Sequence, residues 1–255
     1  MSTIAVGVAA LVSIDSFARN VTRSVREQSR AVMGGDVQLS SRRPFGKESE
    51  HLLDSLRTAG VPNVRLTTFP SMAVLPRNGD TRLSQIYGVG VGYPLYGQIT
   101  TEPAGQYETL QSGPNALIDP SLLITLDARI GDTLKVGYGE FVIRGTLKDV
   151  PGASGLSSAF APRVYIPARY LPETRLLVFG STAEYSALLK LDANTDPQSF
   201  VKPFRATLTK QDVQVRTVTQ AEERAARATE SLANFIGIVG MVALLLGGIG
   251  VASGV

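Results

Sequence analysis

The chain has no cysteine, and that one absence removes disulfide frameworks and thiolate metal sites together. Histidine is almost as scarce, with His51 alone. A single imidazole without thiols does not make a zinc site, and it leaves the serines without a general base. The stretch Gly152-Ala153-Ser154-Gly155 also lacks the glycine spacing of a nucleophile elbow. His51 itself falls on the expected solvent side of an amphipathic helix, near Glu48 and Glu50. The glycines Gly88, Gly90 and Gly92 are followed by neither a phosphate-loop lysine nor a helix start, so they read as a glycine-rich strand end. Charge is sparse too: the formal net charge is +3, with no basic stripe interleaved with aromatic residues, which disfavours nucleic acid as a partner. No catalytic, cofactor-binding or metal-binding residue is expected.

A long apolar run is present instead. Residues 232–255 contain no ionisable side chain, and about 20 such residues cross a hydrocarbon core of roughly 30 Å as a helix. This predicts a membrane-spanning helix. Small residues let membrane helices approach closely, and Gly240, Gly247, Gly248, Gly250 and Gly254 form the expected packing face, although membrane helices also tolerate glycine without any such role. At the other end, residues 1–14 carry a shorter apolar stretch, expected to be the last turns of a first span whose beginning is missing. No Lys or Arg precedes it and no clear cleavage site follows, which argues against a signal peptide.

Two polar helical stretches connect these runs to the rest. Over residues 15–34, Phe17, Val21, Val25 and Val32 recur at helical spacing; over 219–231 and the residue beyond, Ala221, Ala225, Ala228 and Leu232 alternate steps of four and three. Helices of about 18 residues are roughly 27 Å long, and two of matched length predict an antiparallel stalk with these eight residues as its seam. The arginines Arg19, Arg23, Arg26 and Arg30 could instead face anionic headgroups from helices lying on the lipid surface, but the matched lengths favour the stalk.

Between the stalk helices the order strand, helix, strand occurs twice. Residues 36–41 and 64–69 flank a helix with Leu52, Leu53, Leu56 and Ala59 on one face; residues 186–193 and 213–218 flank another, opened by Asp196-Pro197 and burying Phe200, Val201, Phe204 and Leu208. Two such units predict a ferredoxin-like split sheet over 35–75 and 162–218. The intervening residues 76–161 predict a β-rich insertion. One hairpin turns at Asn78-Gly79-Asp80 and another at Gly137 to Gly139, with a helix between Asp119-Pro120 and Gly131. Residues 151–162 have the composition of a loop.

Three stretches, GVAALVSIDSFARNVTRSVREQSRAVMGGDVQLSSRRP, SLLITLDARIGDTLKVGYGEFVIRGTLKDVPG and LLLGGIGVASGV, resemble the MacB/FtsX/LolC-LolE superfamily of ABC transporter permeases, and within it the YbbP-like permeases. The middle stretch is similar to the family's helix, Gly-Asp, hairpin and Gly-x-x-x-Asp-x-Pro ending. The resemblance implies an α+β periplasmic domain, with a ferredoxin-like part and an inserted β-rich part, on a two-helix stalk with transmembrane helices in the bacterial inner membrane. It implies a cytoplasmic ABC ATPase subunit, membrane lipid and periplasmic proteins as partners, and mechanotransmission serving export or extraction of lipophilic or lipoprotein cargo. It also implies that the chain stops before the segment that would engage the ATPase. A membrane receptor with an extracytoplasmic ligand-sensing domain would share the long helix after the first span.

Overall fold

The computed structural model describes residues 29–151, 161–178 and 180–220. Among them no helix is long and apolar enough to cross a membrane. Both apolar runs lie outside the described residues, as do most of the stalk stretches and nearly all of the 151–162 loop.

Ten strands form one sheet: β1 (Val37–Ser41), β2 (Asn63–Val74), β3 (Thr81–Val89), β4 (Thr100–Glu102), β5 (Asn115–Ile118), β6 (Thr133–Val136), β7 (Gly139–Asp149), β8 (Arg163–Pro167), β9 (Glu184–Leu189) and β10 (Gln214–Thr217). Besides the helical residues 29–33 and 218–220 at the ends of the described core, the described residues form the helices α1 (Lys47–Thr58), α2 (Gln106–Thr109), α3 (Pro120–Thr125), α4 (Leu171–Thr174) and α5 (Pro197–Lys210).

The first part runs β10-β1-β9-β2, every neighbour antiparallel. Since β9 separates β1 from β2, the unit β1-α1-β2 is split, and β9-α5-β10 is its counterpart. Alternation decides the faces. Val37 and Leu39 pair with Leu189 and Ala187, and against them pack Leu53 of α1 with Val201 and Leu208 of α5. Asp196 starts α5 by accepting from the backbone N–H groups of Gln198 and Ser199, with Pro197 at the first turn. Hydrogen bonds from Ser199, side chain first, hold its carboxyl below the usual range.

The twelve-residue β2 does not stop at the split sheet. Its second half continues the hairpin with β3, whose register runs from Leu66↔Val89 to Val74↔Thr81. From there β3 pairs β8, β8 pairs β5, β5 pairs β7, β7 pairs β6, and β6 returns to β2 through Ala73↔Val136. The insertion therefore closes into a six-stranded barrel that borrows β2 and β8, both outside residues 76–161, as staves. Inward residues Phe69, Ile86, Ile118, Leu134, Phe141, Ile143 and Val164 fill it, with Leu122 and Leu126 of the α3 region packed against them.

Both expected hairpins are present, at residues 75–80 and 136–139. The expected 119–131 helix is shorter: α3 ends at Thr125, and Asp127 turns into the left-handed region at φ 46°. Strands β4, β5 and β8 and helices α2 and α4 add to the predicted elements.

Candidate functional site

The chain enters and leaves this domain at one place. Val37, first in β1, pairs with Thr217, last in β10, and Val218 N–H donates to the Asp36 carbonyl at 2.9 Å. Residues 29–33, before this point, and 218–220, after it, are helical. The double glycine between helix and strand is required by close approach. A Cβ on Gly34 would sit 2.9 Å from Leu188 Cδ1, and one on Gly35 would sit 2.9 Å from the Leu189 carbonyl oxygen. Gly34 also takes φ +75°, which L side chains rarely adopt.

Asp36 is the hub of this joint, and its residue exposure is only 1%. Arg30 Nε donates to Oδ1 at 2.7 Å, Leu191 N–H donates to Oδ2 at 2.8 Å, and the Tyr96 hydroxyl also donates to Oδ2. Its backbone N–H reaches the Leu189 carbonyl at 2.9 Å. One residue thus ties the incoming helix, the end of β9, the loop after β3 and the end of β10. The Tyr96 ring carries a second set of contacts, with the Arg30 guanidinium 5.5 Å and the Lys190 ammonium 5.2 Å from its centroid. Burial, then the Asp36 hydrogen bond and charge, push the Tyr96 phenol well above its ordinary value against the opposing pull of Arg30. A carboxylate with an ion partner and two further donors is satisfied, and such a buried pair specifies one arrangement more surely than it adds stability.

Tyr96→Phe tests the joint gently. The ring and its cation contacts stay, while one donor to a buried carboxylate is lost, so stability should fall by about 1.5–3 kcal/mol. The phenol's raised value means that its share of stability is full below the ordinary tyrosine range and declines as pH rises through the folded value. Alkaline denaturation of wild type and variant should therefore converge at high pH.

Of the residues predicted to act mechanically, Val32 alone is described: it sits on the incoming helix with 68% exposure. Phe17, Val21, Val25, Ala221, Ala225, Ala228 and Leu232 lie outside the described residues, as do Gly240, Gly247, Gly248, Gly250 and Gly254. Ser154 lies there too. His51 is exposed on α1, as expected from its position. Gly90 marks another close approach, since its Cβ would stand 2.8 Å from the Arg65 carbonyl oxygen. Arg30, one of the arginines that could face lipid headgroups, pairs here with Asp36. Nothing in the local sequence announces the hub, because Tyr96 and Leu191 lie 60 and 155 residues from Asp36.

Residues 1–207 match the model of the MacB-like periplasmic core domain. The chain belongs to this family. Its relatives are permeases. It is 27% identical over 179 residues to the uncharacterized ABC transporter permease YbbP of Escherichia coli (strain K12), covering 70% of this chain and 21% of that protein. It is 25% identical over 273 aligned positions to the macrolide export ATP-binding/permease protein MacB 1/2 of Paracoccus denitrificans (strain Pd 1222), covering 98% of this chain and 40% of that one. The chain thus spans well under half the length of either relative. In the second, the name joins ATP binding and permease in one protein. Among solved structures, the periplasmic region of MacB from Actinobacillus actinomycetemcomitans matches with TM-score 0.47 at 12% identity, over 77% of this MacB-like chain and 95% of that one. The extracellular domain of the ABC-type transporter YknZ from Gram-positive bacteria matches with TM-score 0.49 at 15% identity, over 71% and 100%.

Proposed function

We propose that this MacB-like domain is the periplasmic working part of an inner-membrane ABC permease, moved through connections that enter and leave it at one corner. The observation that carries this reading is the pairing of Val37 with Thr217, locked by the Asp36–Val218 hydrogen bond. A displacement of either connecting helix reaches the same corner of the split sheet, and Asp36 passes it to β9 and to the loop after β3. From there the shared strand β2 leads into the barrel. ATP is hydrolysed by a cytoplasmic ATPase, separate or fused, and the cargo is lipophilic or a lipoprotein. The chain's own residues supply no chemistry to the reaction. Their role is to hold one shape while being moved.

The test uses the full-length permease with its ATPase in reconstituted membranes. A proline inside a stalk helix removes one hydrogen bond and clashes with the preceding turn, at a cost of about 3 kcal/mol. Val25→Pro and Ala225→Pro should each leave assembly and ATP hydrolysis near wild type while cargo release or complementation is lost. Full periplasmic activity in both variants would refute the transmission reading, and a receptor would give no separation between hydrolysis and work.

A further inference from the structure

A cavity of about 210 Å³ lies beside the joint, walled on one side by residues 31–34. Its floor is the sheet face turned away from α1 and α5. Arg65 of β2 reaches Glu50 of α1 at 2.5 Å, so the next residue, Leu66, points to the other face, where Leu188 pairs with Gln38. The remaining wall is aromatic. Tyr87 and Tyr165 stand with ring centroids 4.8 Å apart, and Tyr93 is 6.4 Å from Tyr165. Burial raises all three phenols above their ordinary value, so they stay neutral and present no negative charge to an anion.

Among the described residues, Arg163 is the one cation lining this cavity, and its pairing within the protein is incomplete. Its side chain is 14% exposed, and its carboxylate partner, Asp119, lies at 3.5 Å from Nη2. That is longer than the roughly 2.7–2.9 Å of a charge-assisted hydrogen bond. Asp119 Oδ1 is engaged elsewhere, accepting from the Ser121 backbone and hydroxyl. The Arg163 Nε is buried with no acceptor among the described residues, so the guanidinium is not fully paired within the protein.

We propose that this cavity takes the carboxylate end of a medium-chain fatty acid, with the carboxylate at Arg163, the first methylenes between Leu66, Leu188 and the tyrosines, and the tail emerging past Val32. The volume equals about seven waters, which suits the head and first few carbons of such an acid. Val32, exposed at 68%, gives the emerging tail apolar surface. Because residues 31–34 form one wall, displacement of the incoming helix changes the cavity, and occupancy is linked to the motion. The cargo meaning of this ligand rests on the permease reading above; the binding itself does not.

The experiment uses the full chain in lipid nanodiscs and an octanoate probe bearing a diazirine at its tail, with cross-linked peptides read by mass spectrometry. Adducts are expected on the peptide containing Val32 and Met33, where the tail emerges, competed by octanoate but not by octanol. Arg163→Gln should raise the octanoate concentration needed for competition about tenfold, the loss of one hydrogen bond to a charged group. Val32→Trp, on an exposed position that does not threaten folding, should block labelling of the domain and spare labelling of membrane peptides. Labelling confined to membrane peptides, equal competition by octanol, or domain labelling untouched by Val32→Trp would each overturn the proposal. None of these readouts involves ATP, so the binding claim and the transmission claim fail separately.

Discussion

Asp36→Ala should destabilise the domain by about 3–5 kcal/mol, the typical cost of removing one partner from a buried charged pair. The carboxylate is 1% exposed, and its loss strands the Leu191 N–H, the Tyr96 hydroxyl and the Arg30 guanidinium at once. Asp36→Asn should cost less, because one acceptor oxygen remains. The measurement is denaturant unfolding of the chain followed by near-ultraviolet circular dichroism; the chain has 8 tyrosines and no tryptophan, so the signal reports tyrosine packing. An Asp36→Ala variant as stable as wild type would mean that the joint is not a unit. The effect should also exceed that of Tyr96→Phe, which removes one of the same contacts.

Gly137→Ala should be comparably damaging, for a different reason. Gly137 has φ +59°, which an L residue adopts at a cost of about 1–2 kcal/mol. A Cβ there would stand 2.3 Å from the Thr174 carbonyl oxygen. That carbonyl cannot swing away freely, since it accepts from Tyr138 N–H at 3.0 Å. Overpacking of this kind adds about 1–3 kcal/mol, for a sum of about 2–5 kcal/mol. Gly79→Ala is the control: its φ is +80° but nothing lies within 4 Å, so it should lose only the conformational part. Equal unfolding midpoints for the two variants would show that the β6–β7 turn does not press on the segment after α4.

The contrast between these turns also shows what could be read from letters alone. Asn78-Gly79-Asp80 and Gly137 to Gly139 announce hairpins by local chemistry, and both are found. Helices α1 and α5 were legible because Leu53, Val201 and Leu208 repeat with the helical period and Asp196-Pro197 marks a start. The strand β5 is four residues long and buried along its whole length, and β8 is nearly so. Without alternation, such short runs look like any apolar fragment. Barrel closure depends on Ala73 meeting Val136, a contact with no local sign. The same holds for Asp36, a charged residue at a strand start that reads as ordinary until the residues far along the chain are placed around it. The double glycine before it has the chemistry of a helix stop, whereas its tighter constraint is the passage over Leu188 and Leu189.

Because β1 and β10 are antiparallel neighbours whose free ends lie at the same edge, the direction of loading matters as much as its size. Pulling the two connections apart would peel β10 from β1 like a zipper, one hydrogen bond at a time, beginning at the bond between Val218 and Asp36. Moving them together leaves the ladder unloaded and carries the whole sheet as a lever. Any load applied through this corner is therefore carried best when the two connections move together, and asynchronous pulls would be dissipated in fraying of the edge strand.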